Sequence, residues 1–250
     1  MAETFTLERV DAERPDNNLL RTLRDPDYAL IAPYLFNCAR KVNEVLYNPG
    51  DNVEVVHFPC GPSMASFLVA SEDGRDVETV LVGREGAVGG IVSHGNLPAY
   101  TRIIVKFGGD FVCLKVADLE AAKAKSAALR HYFARYADCL LSQIFQTTAC
   151  NAIHSTEQRA AKWIIAATER TGGDVVPFTH EELAAMLGAG RSHTTRVLQS
   201  FRARGLIETR RGSLVVRDHP TLKTIACACN ELVKIHFEEV LRGVYPVDGN

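Results

Sequence analysis

The apolar positions of this chain follow three successive patterns. Residues 1 to about 20 are polar and predict a weakly ordered lead-in. Asn17 to Leu35 reads as short helical segments interrupted at Asp25-Pro26-Asp27. From about Lys41 to Asp118, β-rich runs alternate with turn residues. The runs are Val53–Phe58, Ala65–Ala70, Val77–Val82, Arg102–Phe107 and Phe111–Lys115. Between them lie Asn48-Pro49-Gly50-Asp51, Cys60-Gly61-Pro62, Glu72-Asp73-Gly74-Arg75 and Gly108-Gly109-Asp110. Short apolar runs bounded by such residues predict strands, and Asp73-Gly74 suits a tight hairpin. Many short strands at this spacing predict an antiparallel, jelly-roll-like β-roll.

From Leu119 the period lengthens to three and four. Ala124–Ala152 contains neither Gly nor Pro. Leu129, Phe133, Tyr136, Leu140 and Ile144 form one apolar face, and Tyr132, Leu141, Phe145 and Thr148 form a second. A helix apolar on two sides must bury both. We expect one side to cover the roll and the other, Leu129, Phe133, Tyr136, Leu140 and Ile144, to meet a second copy. Next, His154-Ser155-Thr156-Glu157 opens a helix over Gln158–Arg170, and Thr171-Gly172-Gly173-Asp174 stops it. The expected division is residues 1–122 for the roll, 123–152 for a dimerisation helix and 153–250 for a compact, mostly helical part.

The informative stretch begins at Thr179. Thr179 with Glu182 makes a capping box, followed by a buried stripe of Leu183, Met186 and Leu187. Ala184 is small enough for a second helix to cross closely, and Gly188 permits the sharp turn between them. The second helix spans about Arg191 to Arg204, with Thr194, Val197, Leu198 and Phe201 facing inward. This is the helix-turn-helix pattern, in which the first residues of the second helix touch base edges in the major groove. Those residues are Arg191, Ser192 and Thr195, with Arg196 one turn on. Arginine matches guanine O6 and N7 bidentately, whereas His193, Thr194 or Thr195 would hold phosphate and position the helix. Leu206–Asp218 then gives two β-rich runs around Gly212, a hairpin whose tip carries Arg210 and Arg211. A basic hairpin after a recognition helix is a wing.

Charge sharpens this reading. The whole chain of 250 residues carries a net charge of −2, yet Gly188–Arg217 holds seven arginines and one acid, Glu208. Such a distribution suits contact with phosphate at one end only. No run of about eighteen apolar residues indicates a membrane span, and the acidic, polar N-terminus lacks the features of a secretory signal. A cytoplasmic protein is expected. The seven cysteines are Cys38, Cys60, Cys113, Cys139, Cys150, Cys227 and Cys229. They include no Cys-x-x-Cys pair, so neither a zinc ribbon nor a thioredoxin motif is supported. Reduced thiols packed as small apolar groups are expected. Cys227-Ala-Cys229 is the one close pair, with redox sensing as its alternative role.

The order of β-roll, long helix and winged helix-turn-helix resembles the Crp/Fnr regulator family, the cyclic-AMP receptor protein group, over most of the chain. The similarity is closest from Gly188 to Ile207, within LGAGRSHTTRVLQSFRARGLI. It implies an α+β fold: an N-terminal β-roll of the cyclic-nucleotide-binding type, a long dimerisation helix and a C-terminal winged helix-turn-helix. It also implies a homodimer reading palindromic double-stranded DNA, with no enzymatic activity. RNA polymerase and an unidentified small-molecule effector are further partners it brings in. The family's two base-reading arginines fall on Arg191 and Arg196. Its acidic base-reading position falls on Ser192, which lacks a carboxylate to discriminate cytosine N4.

Cyclic-nucleotide-binding relatives hold the ribose and phosphate with a Gly-Glu-Leu segment and an Arg-Ser pair. The matching region, Gly86-Ala-Val-Gly-Gly90 and Ala99-Tyr-Thr-Arg102, has neither. A buried phosphate needs a charged partner, so cyclic AMP is not expected to bind in the family's manner. Residues 1–37 contain no cysteine, which argues against an N-terminal iron–sulfur centre. No cofactor is expected, and haem ligation by His57 or His94 stays open as an alternative. The competing functional readings are a small-molecule-binding or metal-dependent roll with an appended helical part, and a protein-interaction module built on the long helix. The roll has only His57 and His94, with no paired spacing, where a metal enzyme needs a cluster of histidines and a carboxylate.

Overall fold

The computed structural model describes residues 10, 13–70, 72, 76–92, 97–242 and 244, with the side chains of residues 170 and 171 left aside. The expected Asp73-Gly74 hairpin turn, His94 and most of the polar lead-in lie outside the described residues. No helix among the described residues is long and apolar enough to cross a membrane. The chain forms two compact units. The first comprises Met1–Ser66, Leu81–Asp138 and Glu239–Asn250, and the second Phe67–Val80 and Cys139–Glu238.

The first unit opens with α1 (Asn18–Thr22) and α2 (Asp25–Ile31), separated at residues 23 and 24, close to the expected interruption. Pro26 sits in the first turn of α2, where a missing N–H costs nothing. Asn17 is fully buried. Its side chain accepts the N–H groups of Leu19 and Leu20 and donates to the carbonyls of Pro59 and Gly86. Every polar atom of that amide is thereby satisfied, as burial demands. The strands are β1 (Phe36–Arg40), β2 (Val45–Tyr47), β3 (Val55–Pro59), β4 (Met64–Ala70), β5 (Asp76–Val82), β6 (Arg102–Phe107) and β7 (Gly109–Lys115). They form two sheets, β1-β7-β3 and β2-β6-β4-β5, of which the first unit holds β4 up to Ser66 and β5 from Leu81. The pairings β1–β7, β3–β7 and β2–β6 are antiparallel, as expected of a roll. All five expected runs are strands. β1 and β2 escaped the pattern because they are short edge strands with exposed positions, where burial does not enforce alternation.

Two expectations are corrected in this unit. Cys38 and Cys113 form a disulfide rather than two thiols. They lie diagonally across β1–β7, since Cys38 opposes Phe111 and Phe36 opposes Cys113. Their Cα atoms are 6.5 Å apart, within disulfide reach. The long helix is also interrupted. α3 (Val116–Lys125) ends at Ser126, which has extended backbone, and α4 spans Ala127–Ile153. The Ser126 hydroxyl accepts the Leu129 N–H and donates to Asp27, so a partly buried tertiary hydrogen bond supports a break that no Gly or Pro announces.

Leu129, Tyr132, Phe133 and Tyr136 of α4 are buried within the chain. Phe133 packs edge-to-face on Phe58, with centroids 6.4 Å apart, and the Tyr132 hydroxyl donates to the Leu19 carbonyl. The expected dimer seam is therefore corrected over its first half: Leu129, Phe133 and Tyr136 have no surface left for a second copy. Leu140 is half-buried and Ile144 exposed. The exposed apolar positions farther along α4 are Leu141, Ile144, Phe145 and Ile153.

The second unit continues with α5 (Thr156–Thr171), capped by the reciprocal Ser155–Gln158 hydrogen bonds. It then holds β8 (Val175–Val176), α6 (His180–Leu187), α7 (Arg191–Ala203), β9 (Ile207–Arg210), β10 (Ser213–Val216), α8 (His219–Ile225) and α9 (Cys229–Arg242), which it includes up to Glu238. The hairpin β9–β10 gains an unexpected third strand, giving the order β8-β10-β9.

Candidate nucleic-acid interface

The helix pair is built by local rules. The Thr179 hydroxyl accepts the Glu182 N–H while the Glu182 carboxylate accepts the Thr179 N–H, at 3.1 and 2.8 Å. This is the expected capping box. Leu183, Ala184, Met186 and Leu187 are buried. Gly188 adopts φ +56°, a left-handed conformation that costs glycine little. Gly190 then caps α7 without a side-chain hydrogen bond, and the first turn of α7 carries no acid.

The two sides of α7 differ sharply. Thr194, Leu198 and Phe201 are fully buried, and Val197 is half-buried. Arg191, Ser192, His193 and Arg196 are exposed, with Thr195 half-buried at the border. Thr195 Oγ1 lies 3.3 Å from His180 Nδ1. His180 is the first residue of α6. Thr194 is corrected as a phosphate contact, because its hydroxyl faces inward toward the Gly190 carbonyl at 3.4 Å. The Arg191 guanidinium approaches Glu181 to 3.9 Å, both side chains being more than 70% exposed. Such a pair is weak and leaves the arginine available.

In the wing, Ser213 opposes Arg210, so Arg211 and Gly212 form the tip. Arg210 and Arg211 are exposed. Arg210 donates to Glu208 at 3.2 Å, and Arg217 also pairs with Glu208. The Arg217 and Arg210 hydrogen bonds hold the Glu208 carboxyl below its usual range, so the one acid of the segment stays ionised and offsets part of its charge. Among the described residues Arg211 and Arg196 have no ion pair.

The segment matching the nucleotide-binding loop of the resemblance is closed. The N–H groups of Gly86, Ala87, Val88 and Ile91 bond to Gly83 O, Tyr136 Oη, His57 O and Gly89 O. The Tyr136 hydroxyl in turn donates to the Ala87 carbonyl at 2.9 Å. A Cβ on Gly86 would sit 2.2 Å from Tyr136 Oη, so α4 lies directly against this loop. Burial and the nearby Arg40 charge push His57 down to about 3, leaving a neutral imidazole with Nδ1 3.2 Å from Cys113 Sγ.

Residues 158–225 match the Crp-like helix-turn-helix domain. No curated protein sequence matches the chain significantly. Solved structures with a similar fold include a transcriptional regulator assigned to the crp/fnr family from Eubacterium rectale, at 20% identity and a TM-score of 0.64, covering 83% of this chain and 97% of that one. FixK2 from Bradyrhizobium japonicum is 14% identical with a TM-score of 0.66, covering 78% and 98%. The c-di-GMP-responsive regulator CLP of Xanthomonas campestris is 15% identical with a TM-score of 0.62, covering 78% and 100%. The chain therefore carries a Crp-like helix-turn-helix domain at residues 158–225 and has the fold of a Crp/Fnr-type DNA-binding transcription regulator.

Proposed function

We propose that this protein is a sequence-specific DNA-binding transcription regulator that reads a two-fold-symmetric site as a homodimer in the cytoplasm. The observation that carries the proposal is the division of α7 into a fully buried apolar side and an exposed side bearing Arg191 and Arg196. Arg191 and Arg196 read base edges, guanine being the base their geometry fits. Ser192, His193 and Thr195 contact phosphate or neighbouring base edges. The uncapped start of α7, free of acids in its first turn, favours an anion there. Arg210 and Arg211 bring the wing to the backbone, adding affinity that falls with salt.

The second copy docks on the exposed stripe of Leu141, Ile144, Phe145 and Thr148 of α4, the helix that follows the Ser126 break within the proposed dimerisation segment 123–152. Cyclic AMP is not the effector: the backbone donors at Gly86–Val88 and Ile91 are already used inside the protein. Another small molecule and RNA polymerase remain partners of the regulator so described. The deciding experiment selects bound duplexes from a random library with the purified chain. A palindrome with half-site centres one helical turn, roughly 34–36 Å, apart supports the dimer. A single unpaired half-site overturns it, and unselected binding overturns sequence reading altogether.

A further inference from the structure

Four side chains far apart in sequence converge inside the second unit. Cys150 lies on α4, with His154 four residues on, just past its end. Cys227 and Cys229 flank Ala228 between α8 and the first residue of α9. Cys150, Cys227 and Cys229 are buried and His154 is partly so, with all four donor atoms within 4.8 Å of one another. Cys150 Sγ lies 3.6 Å from Cys227 Sγ, and Cys229 Sγ 3.5 Å from His154 Nδ1.

These spacings have a specific meaning. With Zn–S bonds of about 2.3 Å and Zn–N bonds of about 2.0–2.1 Å, a tetrahedral centre has edges of about 3.8 Å between sulfurs and about 3.5 Å from sulfur to nitrogen. We propose that Cys150, His154, Cys227 and Cys229 form a closed, tetrahedral site for one Zn2+-type cation, which ties the end of α4 to the α8–α9 turn. Three thiolates and an imidazole are the donors that favour zinc over harder divalent ions. Four protein ligands leave no open position, which marks a structural rather than a catalytic centre.

The surroundings supply an independent argument. Lys162 is buried at 4% exposure, and its ammonium lies 3.4 Å from Cys150 Sγ and 4.3 Å above the Trp163 ring. Among the described residues it makes no ion pair. A buried ammonium requires a compensating negative charge, and three neutral thiols offer none. A divalent cation with three thiolates and a neutral imidazole carries one net negative charge beside this lysine. Gln146 Nε2 donates to Cys229 Sγ at 3.1 Å, the kind of outer contact that orients a ligand. The spacing also favours a single ion, because an iron–sulfur cluster spreads its cysteines around several iron atoms.

The test uses the full-length, reduced chain titrated with Co2+, then Zn2+. The expected result is one Co2+ per chain, with the thiolate charge-transfer and ligand-field absorption of a tetrahedral centre, displaced by Zn2+. Bound Zn2+ protects Cys150, Cys227 and Cys229 from alkylation, and a chelator removes the protection. That readout needs no variant. Cys229→Ser loses the charge-transfer signal in proportion to its lost thiolate and releases Zn2+ to weaker chelators, while Cys60→Ser, a thiol of the first unit that is not one of the four ligands, changes neither. Absence of thiolate absorption in the folded wild-type chain overturns the proposal. So does a Cys150–Cys227 disulfide under reducing conditions, or iron with inorganic sulfide at these residues.

Discussion

The loop Gly86–Ile91 and the first turn of α7 use their polar groups in opposite ways. In the loop, four N–H groups are consumed by Gly83, Tyr136, His57 and Gly89, and the side chains of Ala87, Val88 and Ile91 are buried. At the start of α7, no side chain caps the helix, and Arg191, Ser192, His193 and Arg196 face solvent. The first arrangement converts polar groups into internal stability. The second leaves them for a partner. In the loop the Tyr136 hydroxyl takes the Ala87 N–H and backbone carbonyls take the other three, and an occupied donor binds a ligand only by breaking the bond it already has.

Acid is the strongest probe of the closed region. His57 has a folded-state value near 3, set by burial and Arg40, against about 6.5 when unfolded. Its folded value is depressed, so below pH 6.5 the unfolded chain takes up a proton that the folded chain refuses. Stability contributed by neutral His57 is complete above pH 6.5 and declines as pH falls toward 3, by up to about 1.4 kcal/mol per pH unit. Denaturant midpoints measured from pH 7 to 4 should show this slope, and His57→Gln should remove it; equal slopes in both proteins would break the comparison. Tyr136→Phe leaves the Ala87 N–H and C=O without their buried partner and costs about 1–3 kcal/mol of folding stability. Calorimetry should show no gain of cyclic-AMP binding in that variant, because freeing the Ala87 N–H supplies no charged partner for a buried phosphate.

The exposed region responds in the opposite sense. Arg191→Ala should leave the melting curve nearly unchanged but weaken binding to the selected DNA site by about 1–3 kcal/mol, with relaxed preference at one base pair. Unchanged binding would remove α7 from the role assigned to it. Arg211→Ala should have the smallest effect, lowering affinity evenly across sequences and reducing the salt slope by about one. A sequence-dependent loss there would move the wing tip from phosphate to base contact.

Much of the second unit was legible because its signals are local. The Thr179–Glu182 box, Gly188 and the inward Leu198 and Phe201 act over a few residues, so sequence spacing suffices to find them. β8 is two residues long and acquires strand character only by pairing with β10, which no local pattern carries. The same reason explains Ser126. Its break depends on Asp27, 99 residues away. Leu129, Phe133 and Tyr136, expected at a seam, are buried within the chain instead, because periodicity identifies which positions are buried but not what buries them. The cysteines show the same division. Cys227-Ala-Cys229 stood out as a pair, and Cys150 with His154 had helical spacing, yet nothing in the chain order joined the two.

The amino-acid sequence alone determined the helix-turn-helix, the wing, the exposed arginines of α7 and the β-rich character of the first hundred residues. Each follows from steric and hydrogen-bonding rules that operate between near neighbours. Only the tertiary structure decided that Tyr136 closes the Gly86 loop, that Cys38 meets Cys113, and that Cys150, His154, Cys227 and Cys229 share one buried space. Those outcomes depend on which apolar surfaces pack together, and packing is a property of the whole chain, because the free energy of burying one surface is realised only when its particular partner is in place.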